Sequence, residues 1–270
     1  MSTTRQLPAA YAAFCLWFGL AALGVICLSW SLVAALLHPF IPEARGRRLG
    51  RRAISRGFRF YLRLISALGA CRFEFEGIDT LTDAGPLILA PNHPCLLDAV
   101  MVVAQLPNVA CVMKAALLRN IFLGGGARLA RYIPNDRPLQ MVHAACRDLA
   151  AGGQILLFPE GTRTVRYPVN AIISSIALIA KKAQIPVQTL IIETDSAYLS
   201  KGWTLFRQPP LPIHYRIRLG RRFDPPTTSA SFAAELEDYF ASELAHAHLI
   251  PPQFAESAAQ AHHTPDPAAP

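Results

Sequence analysis

Residues 86–113 read PLILAPNHPCLLDAVMVVAQLPNVACVM. The short apolar run 86–90, stopped by Pro91, has the form of a buried strand. LLDAVMVVAQL (96–106) carries helical apolar spacing, and VACVM (109–113) is a second short strand-like run. Strand, helix and strand in succession form one β-α-β unit, and ligands of open α/β sheets bind beyond the carboxyl ends of the strands. The segment between the first strand and its helix, PNHPCLLD (91–98), is such a place, and it contains a histidine and an aspartate.

The alternation continues outward. CRFEFEG (71–77) alternates and ends in Gly, as a strand does, and QILLF (154–158), VQTLIIE (187–193) and IHYRIRL (213–219) read as further strands. PLQMVHAACRDLAAGG (138–153) is a helix with Pro at its start and a Gly pair after its end, and SIALIAKKA (175–183) is another. A last helix over 231–245 puts Phe232, Leu236, Phe240 and Leu244 on one side. Residues 70–250 are therefore expected to be one α/β domain, a mostly parallel sheet flanked by helices. The Pro-, Ala-, His- and Gln-rich tail from 251 to 270 is expected to be disordered. The chain has no internal repeats.

Ahead of this domain the composition changes. Hydrophobic residues make up 52% of the 270 and charged ones only 16%, which is high for a soluble enzyme. From Gln6 to Ile41 there is no Asp, Glu, Lys or Arg. The apolar run from Ala9 to Leu37 exceeds the ~20 residues that cross a bilayer, so it can tilt or break. It is too long for the core of a cleaved signal peptide, and only Arg5 precedes it. Residues 1–42 are read as a membrane anchor helix.

The net charge of +8 is concentrated immediately afterwards. Arginines 45, 47, 48, 51, 52, 56, 59 and 63 stand against the single acid Glu43, whereas the acids and bases after Arg63 cancel. At about 100° per residue, Arg48, Arg52, Arg56, Arg59 and Arg63 fall in one stripe about 80° wide, with Ile54, Phe58, Tyr61, Ile65 and Leu68 opposite. Residues 43–69 thus read as a basic amphipathic helix in the headgroup layer, facing anionic membrane lipids rather than nucleic acid. The positive-inside tendency places the domain on the cytoplasmic face of a cell inner membrane. The six cysteines have neither metal spacing nor a disulfide framework, so no metal is expected.

Two strand ends carry chemistry. In the first, His93 and Asp98 are five apart, and His143 and Asp148 share that spacing. Five residues along one helix rotate by about 140°, so the second pair, inside a continuous helix, points apart. His93 precedes its helix and can fold back onto Asp98 in the first turn. Such a pair suits acyl transfer to a hydroxyl, His93 taking the hydroxyl proton and Asp98 fixing the imidazole tautomer. The second strand end gives FPEGTR (158–163), where Gly161 lets backbone N–H groups approach a substrate and Arg163 offers a fork suited to phosphate. Cys95 stands beside His93 in a register that turns it away, and no G-x-S-x-G elbow marks a serine esterase.

NHPCLLD and FPEGTR together resemble the paired signature blocks of the glycerolipid acyltransferases, typified by 1-acylglycerol-3-phosphate O-acyltransferase. RYIPNDR (131–137) resembles the block between them, which ends in a phosphate-binding arginine, here Arg137; IPV (185–187) resembles the late strand. The resemblance covers roughly residues 70–220. It implies that His93 and Asp98 are the catalytic dyad and that acyl-ACP or acyl-CoA is the donor. Transfer would be direct, with no cofactor, to a lipid hydroxyl such as that of a lysophospholipid. Arg137, Gly161, Thr162 and Arg163 would then hold the acceptor, with Glu160 supporting their loop. One stretch departs from the pattern: NAIISSIA (170–177) has Ile and Ser where the family commonly has a Lys-Gly pair. Two alternatives follow, an acyltransferase for a specialised acceptor (glycolipid, amino-acid lipid or polyene pigment) and a non-catalytic lipid-binding membrane protein.

Overall fold

A computed structural model describes residues 8–254, apart from the side chain of Ala230. Most of the tail expected from 251 onward lies outside these residues, but its start is packed, with Phe254 buried against Tyr167.

Seven strands form one mixed, mostly parallel sheet among the described residues: β1 (Cys71–Glu76), β2 (Leu87–Pro91), β3 (Val109–Met113), β4 (Ile133–Pro134), β5 (Gln154–Leu156), β6 (Val187–Thr194) and β7 (Ile213–Phe223). Their order is β1-β7-β6-β2-β5-β3-β4. From β6 to β4 every pairing is parallel; β7 runs antiparallel to β6, and β1 runs parallel to β7. The continuous apolar run of β2 marks a strand buried on both faces, and β6 is buried throughout as well despite its Gln188 and Thr189, whereas β1 at the edge alternates.

Helices cover both faces. α3 (Leu97–Gln105) and α2 (Glu43–Ala67) lie on the face into which Leu87 and Leu89 of β2 point. α5 (Pro138–Ala150), α6 (Ser175–Ala183) and α7 (Ser229–Ala245) cover the other, where Ile88 and Ala90 point. A short α4 (Gly124–Leu129) and the strand β4 follow VACVM; neither has an apolar run long enough to be read from sequence.

The apolar run is α1 (Ala9–Leu37), and it packs along the domain. Ala12 and Cys15 join the main core, Gln208 donates to the Ala9 carbonyl (3.1 Å), and Trp17 stacks on Phe206. Near its other end Ser31 donates to the Phe122 carbonyl (2.7 Å) and accepts from the Gly126 N–H (3.3 Å). A Cβ on Gly125 would stand 2.0 Å from the Ser31 carbonyl oxygen, so the glycines of α4 allow this backbone approach. Phe14, Trp17, Val25, Leu32 and Leu36 remain exposed on the opposite face.

The arginines of α2 divide between two tasks. Arg48, Arg52, Arg56 and Arg63 are exposed, as the stripe requires. Arg59, expected among them, instead donates to the Ala104 carbonyl (2.9 and 3.0 Å) at the end of α3, where unpaired carbonyls attract a cation. Arg51 is wholly buried, bonded to Asp148 (2.6 Å) and to the Ala130 and Asn108 carbonyls, with Arg47 also on Asp148 (3.1 Å). His143, one turn earlier on α5, is exposed, so the second His/Asp pair does not meet.

Candidate active site

The register of the central strands puts the loaded loops side by side. Leu89 of β2 pairs with Leu156 of β5, which pairs with Cys111 of β3, so the three strands end level. His93 follows β2, residues 158–163 follow β5, and Arg137 follows β4, all at the carboxyl edge.

Local bonds fold the first loop. Asn92 acts as a surrogate strand residue toward β6, its amide donating to the Ile192 carbonyl (2.8 Å) and its Oδ1 accepting the Ile192 N–H (2.7 Å). That clamp fixes where the chain leaves β2. His93 Nδ1 then lies 2.8 Å from Oδ2 of Asp98, the second residue of α3. The same oxygen accepts the Cys95 N–H (2.8 Å), and Oδ1 accepts the Cys95 S–H (3.0 Å). With three donors converging on one carboxylate, Nδ1 carries its proton and the Nε2 lone pair is left for chemistry. Asp98 is fully buried, while 14% of the His93 side chain is exposed. Phe158 stacks beneath the imidazole, centroids 3.7 Å apart, and holds the ring plane.

Glu160 ties the second loop to the first. Its Oε1 accepts the His93 N–H (2.9 Å) and the Thr164 hydroxyl (2.8 Å), and Oε2 accepts the Asn170 N–H (2.9 Å). The Thr164 N–H returns a bond to the His93 carbonyl (2.8 Å). Burial pushes the Glu160 pKa up, against the pull of these donors. Asn170 turns the following chain by accepting the Val165 and Arg166 N–H groups (3.1 Å each).

The expected substrate-holding groups fare differently. Gly161 takes a left-handed conformation (φ 65°), but its N–H is spent on the Phe158 carbonyl (3.0 Å). The N–H groups of Thr162 and Arg163 donate to no protein acceptor among the described residues. Arg163 directs Nη1 at the Leu199 and Ser200 carbonyls (2.8 and 2.6 Å), so part of its fork holds the 195–203 loop. Arg137 is exposed, with no ion pair or hydrogen bond from its guanidinium among the described residues. At the departing stretch, Ile173 bonds the Pro159 carbonyl through its N–H (2.8 Å), and its side chain lies against Gly161.

Asn92, Phe158, Thr164 and Asn170 were assigned no role from the motifs, and Cys95, set aside there as turned away from His93, bonds Asp98 instead. Asn92 alone left a signal, since an amide side chain at the end of an apolar strand is placed there to bond backbone.

A family model described as Acyltransferase matches residues 72–193. The 1-acyl-sn-glycerol-3-phosphate acyltransferase of Pseudomonas aeruginosa is 21% identical over 183 residues, covering 66% of this chain and 70% of its own. The crystal structure of the 1-acyl-sn-glycerophosphate (LPA) acyltransferase PlsC from Thermotoga maritima matches with a TM-score of 0.65 at 18% identity, over 86% of this chain and 93% of that one.

Proposed function

We propose that this chain, whose residues 72–193 match the Acyltransferase family model, moves a fatty acyl group from acyl-ACP or acyl-CoA to a lysophospholipid hydroxyl at a membrane surface. The observation that carries the reading is the 2.8 Å contact between His93 Nδ1 and the buried Asp98 carboxylate, which leaves the Nε2 lone pair free on a side chain that is 14% exposed. Nε2 takes the acceptor hydroxyl proton as its oxygen forms a bond to the thioester carbonyl carbon. The tetrahedral adduct collapses, the C–S bond breaks, and the sulfur leaves with the proton from the imidazolium. The products are an ester and a free thiol. Asp98 stabilises the transient imidazolium, as a triad carboxylate does. In this reading the unpaired N–H groups of Thr162 and Arg163 receive the developing negative charge. Arg137 and the remaining Arg163 N–H groups face an anionic headgroup, and Glu160 holds the two loops together.

The exposed apolar face of α1 and the exposed arginines of α2 support attachment to the cytoplasmic face of the inner membrane. Because α1 runs along the domain, that attachment would bring the domain against the bilayer together with its helix. A second reading of the acceptor is favoured by Ile173, which puts an apolar side chain against Gly161 where a cation was expected. An acceptor with less headgroup charge than lysophosphatidate fits that surface better.

The test is acyl transfer by purified membranes containing wild-type, His93→Ala or His143→Ala protein. Both donors are offered with lysophosphatidate and a panel of other hydroxyl lipids. His93→Ala is expected to lower transfer by about 10²–10⁴-fold, and His143→Ala to leave it unchanged. Equal losses would remove the dyad assignment. Transfer confined to the other lipids would select the second acceptor reading.

A further inference from the structure

Cys95 is a buried thiol that the proposed mechanism does not use, and it touches a group that the mechanism does use. It follows Pro94 at the entrance to α3, is 1% exposed, and makes two of the three bonds that Asp98 accepts. Its N–H and His93 Nδ1 share Oδ2 (2.8 Å each), while its S–H takes Oδ1 (3.0 Å). A carboxylate held through one oxygen can rotate about its Cβ–Cγ bond. One held through both cannot rotate without breaking a bond in a place where water does not replace it.

From this we infer that Cys95 is a positioning residue, whose thiol locks the Asp98 carboxylate so that Oδ2 stays on His93 Nδ1. The inference rests on His93 and Asp98 acting as proposed above. Burial and the neighbouring carboxylate push the thiol pKa well up, so Cys95 remains an S–H donor rather than a nucleophile. The other titratable groups coupled to this corner are Tyr215 of β7, Tyr198 and Cys71, each pushed up chiefly by burial. Glu160 bonds the His93 N–H. Among these groups only Cys95 and His93 bond the Asp98 carboxylate among the described residues.

The experiment compares wild-type, Cys95→Ala, Cys95→Ser and His93→Ala protein in membranes, with kcat and KM measured separately for each. Cys95→Ala is expected to lower kcat about tenfold with KM unchanged, the loss of one charge-assisted hydrogen bond. Cys95→Ser, which restores a donor of similar size, should recover the rate. An unchanged kcat in Cys95→Ala would overturn the inference, and so would equal losses in Ala and Ser, which would mean that the thiol only fills space. A wild-type protein inactive with every acceptor, or undiminished by His93→Ala, would sink the underlying reading instead.

Discussion

His93 shows how much bonding is needed to aim one side chain. Its ring is set by Asp98, its plane by Phe158, its N–H by Glu160 and its carbonyl by Thr164. Glu160 is therefore the residue most sensitive to a small change. Both its oxygens accept, from His93 and Thr164 on one side and Asn170 on the other. A glutamine must turn its NH2 toward one of those N–H donors, whichever way the amide is placed. Glu160→Gln is expected to destabilise the fold by ~2 kcal/mol, the cost of leaving buried donors unpaired, and to lower activity with it. Urea unfolding would check this, and an unchanged midpoint would refute it. At this scale the motifs PNHPCLLD and FPEGTR were legible, because they gather histidine, carboxylates and an arginine at strand ends, the edge where ligands of open α/β sheets bind. The donors around them were not, because Cys95, Thr164 and Asn170 act through bonds to partners that only the turn of the chain supplies.

At the scale of elements, periodicity was a good guide wherever a run was long. The strand at 109–113 and the helix at 175–183 have the bounds their apolar patterns predict, and the helix from 138 starts at its proline. α4 was invisible because GGG reads as a loop, glycine being a poor helix former. The same glycines are what permit α1 to dock there. Gly125→Ala would drive a methyl into the Ser31 carbonyl, separating α1 from α4. The expected cost is about 1–3 kcal/mol of overpacking, seen as a lower thermal midpoint in membranes or detergent. An unchanged midpoint would mean that α1 does not rest on α4. Arg59 was misread for a related reason: a helical wheel records direction about one axis but not the helix end waiting beside it. Its guanidinium reaches the carbonyls of α3, which the wheel of α2 does not contain.

For the molecule as a whole, the proposed attachment to a membrane combines two surfaces, the apolar face of α1 and the groove on α2 lined by Arg45, Arg48, Arg52 and Arg56. Each arginine near an anionic bilayer contributes ~1 kcal/mol. Replacing Arg48, Arg52 and Arg56 together by Ala should therefore weaken binding to anionic vesicles by on the order of a hundredfold. Neutral vesicles, or high salt, should abolish the difference. Co-sedimentation with vesicles of the two compositions measures it, and equal binding by both proteins to anionic vesicles would refute the lipid contact. Arg47 and Arg51 serve a different end, pairing with the buried Asp148 and joining α2 to the start of β3 and the end of α5.

The sequence by itself determined the α/β class, the order of the long elements, the apolar helix, the basic helix and the two loaded strand ends. Each of these rests on local periodicity or on chemistry confined to a few neighbouring residues. Tertiary structure alone decided the strand order, which brings β2, β5, β3 and β4 level and gathers His93, Glu160 and Arg137 at one edge. It also decided that Arg163 spends part of its fork on the 195–203 loop, that Arg59 turns inward, and that α1 lies along the domain. Those outcomes depend on partners far away in the chain, and a side chain able to make several bonds makes the ones that folding puts within its reach.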